Sequence, residues 1–152
     1  MAFEMGPETR QVQAMWDVST YKYKIDGRGM KVLVDAMKDK KIKGIKCPQC
    51  GRVYVPGPTF CRDCFIDIDE IVEVKDTGTI ISFAVELTDV RGKPLDEWRA
   101  SAMIKLDGAD SFIGGTVKVD DWHDVHIDQK VKAVWADEPV GSLSDIDHFE
   151  PV

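Results

Sequence analysis

The chain has 152 residues, 43% of them hydrophobic and 31% charged, with a net charge of −7. That composition suits one or two small globular domains. No apolar run approaches the roughly 18 residues that a membrane-spanning helix needs. The opening MAFEMGPETR also lacks the basic start and apolar core of a secretory signal, so a cytoplasmic location is expected. The charge is uneven, with +5 over residues 1–64 and −12 over residues 65–152. An acidic second half is a poor match for a phosphate backbone, because nucleic-acid affinity comes mostly from clustered Lys and Arg.

Taken in chain order, residues 1–41 read as an N-terminal helical segment. A short helix is predicted from Glu8 to Asp17, where Val12, Met15 and Trp16 share one face. A second is predicted in GMKVLVDAMKDKKIKG, where Met30, Leu33, Val34 and Met37 recur at helical spacing. Lys38, Lys40 and Lys41 would load its last turn, at the negative end of the helix dipole. Gly44 would stop it. Whether the apolar face packs on this chain or on a partner is open from sequence.

Residues 42–69 hold all four cysteines, as Cys47-x-x-Cys50 and Cys61-x-x-Cys64, with a short strand at Val53 to Val55 closed by Pro56-Gly57-Pro58. A reducing compartment disfavours disulfides, and two such pairs within 18 residues are read as a metal site. Zn2+ favours four thiolates in a tetrahedron. Gly51 permits the tight turn after the first pair, and Lys46, Arg52 and Arg62 lie beside the ligands to offset their charge. CPQCG would also serve an iron tetrathiolate of the rubredoxin kind, although CRDC lacks the Pro and Gly usual there. Four cysteines leave no open coordination position, so the role is structural: the ion holds together a segment with too little apolar surface to fold unaided.

Residues 70–137 switch to period two. IVEVKDTGTIISFAVELTDV offers two strands around a turn at Asp76-Thr77-Gly78. RGKPLDEWR reads as a loop. ASAMIKLDGAD is a third strand with a turn at Asp107-Gly108, SFIGGTVKV a fourth with a bulge at Gly114-Gly115, and QKVKAVWAD a fifth. Five short strands suggest a small closed barrel, since closure removes exposed edges. Residues 138–152 read as an acidic tail without periodicity. His123 and His126 sit in a polar loop, with a second metal pair alongside Asp124 the sharper alternative. Trp98, Trp122 and Trp135 read as barrel core or interface rather than a stacking surface. With every cysteine committed and no phosphate loop, the residues show no active site.

A helical arm, a Cys-x-x-Cys-Gly … Cys-x-x-Cys ribbon and a five-stranded barrel, in that order, resemble a known family. It is the OB-fold, zinc-ribbon family of acyl-CoA-associated proteins, also catalogued as domain of unknown function 35. The resemblance is carried by IKGIKCPQCGRVYVPGPTFCRDC, VEVKDTGTIISFAVE and ASAMIKLDGAD, with Pro56, Pro58 and Gly78-Thr79-Ile80 in the family's pattern. Trp98-Arg99 and Ile127-Asp128 depart from it, where members often have Pro-Tyr and Ile-Gly. The expected fold is mainly β: helical arm, rubredoxin-like zinc ribbon, OB-fold barrel. The implied function is that of a non-catalytic accessory subunit of a thiolase-type hetero-oligomer, working on acyl-CoA by C–C cleavage or condensation. The lean is to thiolysis of benzoylsuccinyl-CoA in anaerobic toluene degradation. The nucleophile would lie in a thiolase-like partner, with neither nucleic acid nor membrane involved. Lys38, Lys40, Lys41, Lys43, Lys46 and Arg52 form the basic cluster for CoA phosphates, with a solvated helix end the plainer reading. The competing classes are an OB-fold nucleic-acid-binding module and a stand-alone acyl-CoA-binding protein.

Overall fold

The computed structural model describes residues 27–89 and 91–152; the helix expected at Glu8 to Asp17 lies outside them. Among the described residues one α-helix, α1 (Arg28–Met37), precedes eight strands: β1 (Ile42–Lys46), β2 (Val53–Tyr54), β3 (Glu70–Val74), β4 (Thr77–Thr88), β5 (Pro94–Leu106), β6 (Ile113–Val117), β7 (Lys130–Trp135) and β8 (Ile146–Pro151). They form a three-stranded sheet, in the order β2-β1-β3, and a closed barrel, in the order β4-β5-β6-β8-β7.

The helix buries Leu33 and Met37 of the predicted stripe together with Ala36, leaves Met30 and Val34 half-buried, and packs against β1. This settles the question left open above: the stripe faces this chain's own core. The helix ends sooner than the lysines suggest. Lys40 takes a left-handed φ of 55°, and its N–H reaches back to the carbonyl of Met37 at 2.9 Å, a common way to close a helix. Gly44 is therefore not a helix stop. It lies in the middle of β1, where a Cβ would come within 2.6 Å of the Tyr54 carbonyl oxygen.

Four further expectations change. The strand at Glu70, read as the first of the barrel, pairs with β1 from Ile42↔Val74 to Lys46↔Glu70 and belongs to the ribbon sheet. The barrel still has five strands because the stretch read as an acidic tail supplies β8. This strand runs antiparallel to β7 and parallel to β6, at Val117↔Phe149. The third and fifth barrel strands thus pair in parallel and close the OB-fold. The tail disguises its strand because only one of its residues, Phe149, points deep into the core at 0% exposure. Gly114-Gly115 is no bulge: β5 and β6 pair without a shift from Ala100↔Val117 to Ile104↔Ile113. Gly115 makes room, since a Cβ there would sit 2.6 Å from the Phe149 ring. The irregular pairings fall between β4 and β5, at Ile80/Ser82 and Glu86/Thr88, and between β7 and β8, at Val134/Trp135. The expected loop at Arg91 to Arg99 is mostly strand, because β5 begins at Pro94.

The turn between β5 and β6 ties barrel to ribbon. Asp110 exchanges two bonds with Val53: its N–H donates to the Val53 carbonyl at 2.7 Å, and its Oδ2 accepts from the Val53 N–H at 2.9 Å. Ser111 Oγ accepts from the Val55 N–H at 2.6 Å and donates to the Val55 carbonyl at 3.0 Å. One hydrophobic cluster then runs from Leu33, Met37 and Ile42 through Val55 and Val74 into Ile80, Ile104, Val131 and Phe149. Phe149→Ala should lower stability by about 3–5 kcal/mol, the usual cost of deleting a buried aromatic ring. Chemical denaturation of the metal-loaded protein measures this, and an unchanged midpoint would contradict the placement of β8 in the barrel.

Candidate metal centre

The two cysteine pairs sit on two backbone knuckles of the same build. In the first, the Cys47 N–H donates to the Arg52 carbonyl at 2.8 Å and the Gly51 N–H to the Cys47 carbonyl at 2.9 Å. In the second, the Cys61 N–H donates to the Ile66 carbonyl and the Phe65 N–H to the Cys61 carbonyl, both at 2.8 Å. The residue after each pair takes a left-handed φ, 77° at Gly51 and 56° at Phe65. Glycine does this freely, whereas a side chain costs about 1–2 kcal/mol. Phe65 gains nothing from burial there, because it is 81% exposed.

These knuckles bring all four Sγ atoms within 4.8 Å of one another, with Cys50 and Cys61 3.7 Å apart. A tetrahedron with metal–sulfur bonds of about 2.3 Å has edges of about 3.8 Å, so the donor set fits a tetrahedral thiolate ion. The sulfurs form the middle of the ribbon's own small core: Cys47 and Cys61 are fully buried among Ile45, Tyr54 and Ile68. Among the described residues this is the one cluster of His, Cys, Asp and Glu placed to hold a metal. His123 instead bonds Asp121 at 2.7 Å and stacks on Trp122, while His126 Nδ1 lies 3.0 Å from the Asp124 carbonyl. Trp98 and Trp135 pack half-buried against the barrel core, as expected.

The environment of the sulfurs is unequal. The Tyr54 hydroxyl lies 3.3 Å from Cys61 Sγ and 3.2 Å from Asp63 Oδ2. Before any ion is counted, that hydroxyl and nearby backbone N–H groups hold the Cys61 thiol down to about 6. Burial pushes Cys64 up to about 12, and Tyr54 itself is raised by the sulfur beside it. An ion must displace protons from these thiols, so its retention falls as the solution is acidified. Neither Tyr54 nor Asp63 was singled out from sequence; the only hint was an aromatic inside a predicted strand between the pairs.

The basic cluster does not converge on one point. Lys38 pairs with Asp35 at 3.1 Å, Lys41 with Glu73 at 3.1 Å, Lys46 with Glu70 at 3.7 Å and Arg52 with Asp63 at 3.0 Å. Among the described residues, Lys40 and Lys43 make no ion pair. The two carboxylates from β3 explain much of this, because β3 lies beside β1 rather than in the barrel.

Residues 35–70 match the family model of the ChsH2 rubredoxin-like zinc ribbon domain. No curated protein matches the chain. Among solved structures, it resembles a protein of unknown function from the DUF35 family of Sulfolobus solfataricus, with 27% identity and a TM-score of 0.63 over 71% of this chain and 78% of that one. It also resembles a chain of the Ltp2-ChsH2(DUF35) aldolase, with 17% identity and a TM-score of 0.61 over 86% of this chain and 98% of that one. The ribbon match and the Sulfolobus protein support placement in the DUF35 family. The aldolase likeness speaks for the fold.

Two substitutions check the knuckle geometry. Gly51→Ala should destabilise the loaded protein by about 1 kcal/mol, whereas Phe65→Gly should leave stability unchanged or raise it by up to ~1 kcal/mol. Thermal unfolding of the loaded variants measures both.

Proposed function

We propose that this chain is a metal-stabilised accessory subunit that assembles with a thiolase- or aldolase-like protein acting on acyl-CoA. The observation that carries this reading is the ChsH2-type ribbon at residues 35–70 leading into a five-stranded barrel. The chain of the Ltp2-ChsH2(DUF35) aldolase has a similar fold over 98% of its length.

The chemistry of the residues supports it. All four cysteines are drawn into the metal site, so no thiol is left to form an acyl-enzyme. The ion we assign is Zn2+, closed in by four thiolates and structural, with no position open for substrate. The nucleophile then lies in the partner. The barrel also offers a surface to such a partner. Beyond Thr79, β4 no longer pairs with β7, and Ile81, Phe83 and Leu87 along it are 37–49% exposed. Exposed apolar rows of this kind mark protein contacts. Among the described residues no helix is long and apolar enough to cross a membrane, which accords with a cytoplasmic complex.

Lys40 and Lys43, with Lys41, are the cations we assign to the CoA phosphates at the subunit boundary. The pair between Lys41 and Glu73 is exposed and worth at most about 1 kcal/mol, so a phosphate can displace it. Lys38, Lys46 and Arg52 complete the basic cluster at longer range. Benzoylsuccinyl-CoA is the substrate to which the sequence resemblance leans.

Isolation of the native protein from its own cells, with mass spectrometry of what co-purifies and metal analysis of the same sample, tests the reading. A thiolase-like partner and one zinc per chain are expected; a nucleic acid in its place would overturn it. In the reconstituted complex, replacing Lys40, Lys41 and Lys43 together with Ala should weaken CoA affinity at least several-fold. Calorimetric titration with CoA measures this, and unchanged affinity removes the lysines from the site.

A further inference from the structure

The ribbon places one hydroxyl against one metal ligand. We propose that Tyr54 is a positioning residue for the ion: its hydroxyl donates a hydrogen bond to Cys61 Sγ in the metal-bound protein and thereby keeps that sulfur in the ligand set. The inference rests on the four-cysteine site alone, not on a partner or on acyl-CoA.

Tyr54 lies on β2 opposite Ile45 of β1, and the side chain is 3% exposed. Its Oη has two neighbours, Cys61 Sγ at 3.3 Å and Asp63 Oδ2 at 3.2 Å, but only one hydrogen to give. A metal-bound sulfur has lost its proton, so any bond between the two must be donated by Tyr54. Asp63 has other donors to satisfy it. Its carboxylate is exposed to water and pairs with Arg52 at 3.0 Å. Cys61 is fully buried, with no water to fall back on. Its remaining donors are the backbone N–H groups of Asp63 and Cys64. The hydrogen therefore goes where the unsatisfied charge is greatest, on the sulfur.

The arrangement singles out Cys61. Among the described residues no other ligand has a side-chain donor apart from a fellow cysteine. Four thiolates on a divalent ion carry a net charge of −2, and a hydroxyl bond draws part of it off one sulfur. That makes Cys61 the ligand slowest to leave or to react with an electrophile, and exposed Cys50 the first. Partners of metal ligands typically change metal affinity by about 10–100-fold.

The test uses the full-length, zinc-loaded protein and Tyr54→Phe, which keeps the ring and removes only the hydroxyl. Zinc transfer to a chromogenic chelator should speed up by about 10–100-fold, and a rate indistinguishable from the parent's overturns the proposal. Asp63→Ala removes the competing acceptor, so it should lose zinc no faster than the parent. Loss as fast as in Tyr54→Phe would move the role to the carboxylate and overturn the assignment to the hydroxyl. Should Tyr54→Phe fail to hold metal from the start, the 113Cd-loaded parent decides. A slowly exchanging Tyr54 hydroxyl proton coupled to 113Cd through Cys61 Sγ supports the proposal, and absence of that coupling overturns it.

Discussion

Everything in the N-terminal part of this structure depends on the convergence of four sulfurs. The ribbon core contains Ile45, Tyr54 and Ile68 besides Cys47 and Cys61. Three such side chains bury too little apolar surface to offset the conformational entropy of ordering the segment. A bound ion supplies what they lack, because its binding free energy is delivered only in the folded state. The metal thus acts as the largest member of the ribbon core, and its ligands occupy the place that leucines and valines fill elsewhere in the chain.

The consequence reaches past the ribbon. Val53 and Val55 lie between the two knuckles, and their backbone groups are held by Asp110 and Ser111 from the barrel turn. The same turn is anchored below by Asp107, whose carboxylate accepts from Thr77 Oγ1 at 2.7 Å and from Lys130 at 3.1 Å. Those two donors hold its carboxyl below the usual range, so it stays charged through neutral pH. The six-residue turn at 107–112 therefore connects β2 of the ribbon with β4 and β7 of the barrel. Loss of the metal removes the support for β2 and, through it, loosens one end of the barrel.

How much of this was legible in the sequence follows from which signals are local. The cysteine spacing is local and chemical, so the ligand set could be read directly. The stripe of Leu33 and Met37, the short strand at Val53 and the turn at Asp107-Gly108 are also local patterns. Strand membership is not. Glu70–Val74 has the same alternation whether it pairs with β4 or β1, and only the three-dimensional path sends it to β1. β8 was missed for a different reason: Phe149 alone carries its burial, so the tail shows no period. Gly44, Gly115 and Tyr54 matter because of what lies opposite them, at Tyr54, Phe149 and Cys61, and no window along the chain contains both partners in a readable relation.

These same features shape what the molecule is suited to do. Its polar groups of catalytic type are either exposed or committed to structure. Asp145 is the one buried carboxylate among the described residues, and it is wrapped by the N–H groups of Val140, Gly141 and Ser142 at 2.7–3.0 Å. Burial alone would push its carboxyl up, but those donors outweigh it and keep it ionised and satisfied rather than poised to move a proton. Cross-links are concentrated where ribbon meets barrel, whereas on the β7 side β4 makes its last backbone bonds at Ile80 and then presents an apolar row. A platform tied together at one end, with an apolar row at the other and no poised acid or base among the described residues, accords with the accessory-subunit role proposed above. The acidic charge of residues 65–152 opposes a phosphate backbone at the barrel, because such contacts draw on clustered Lys and Arg.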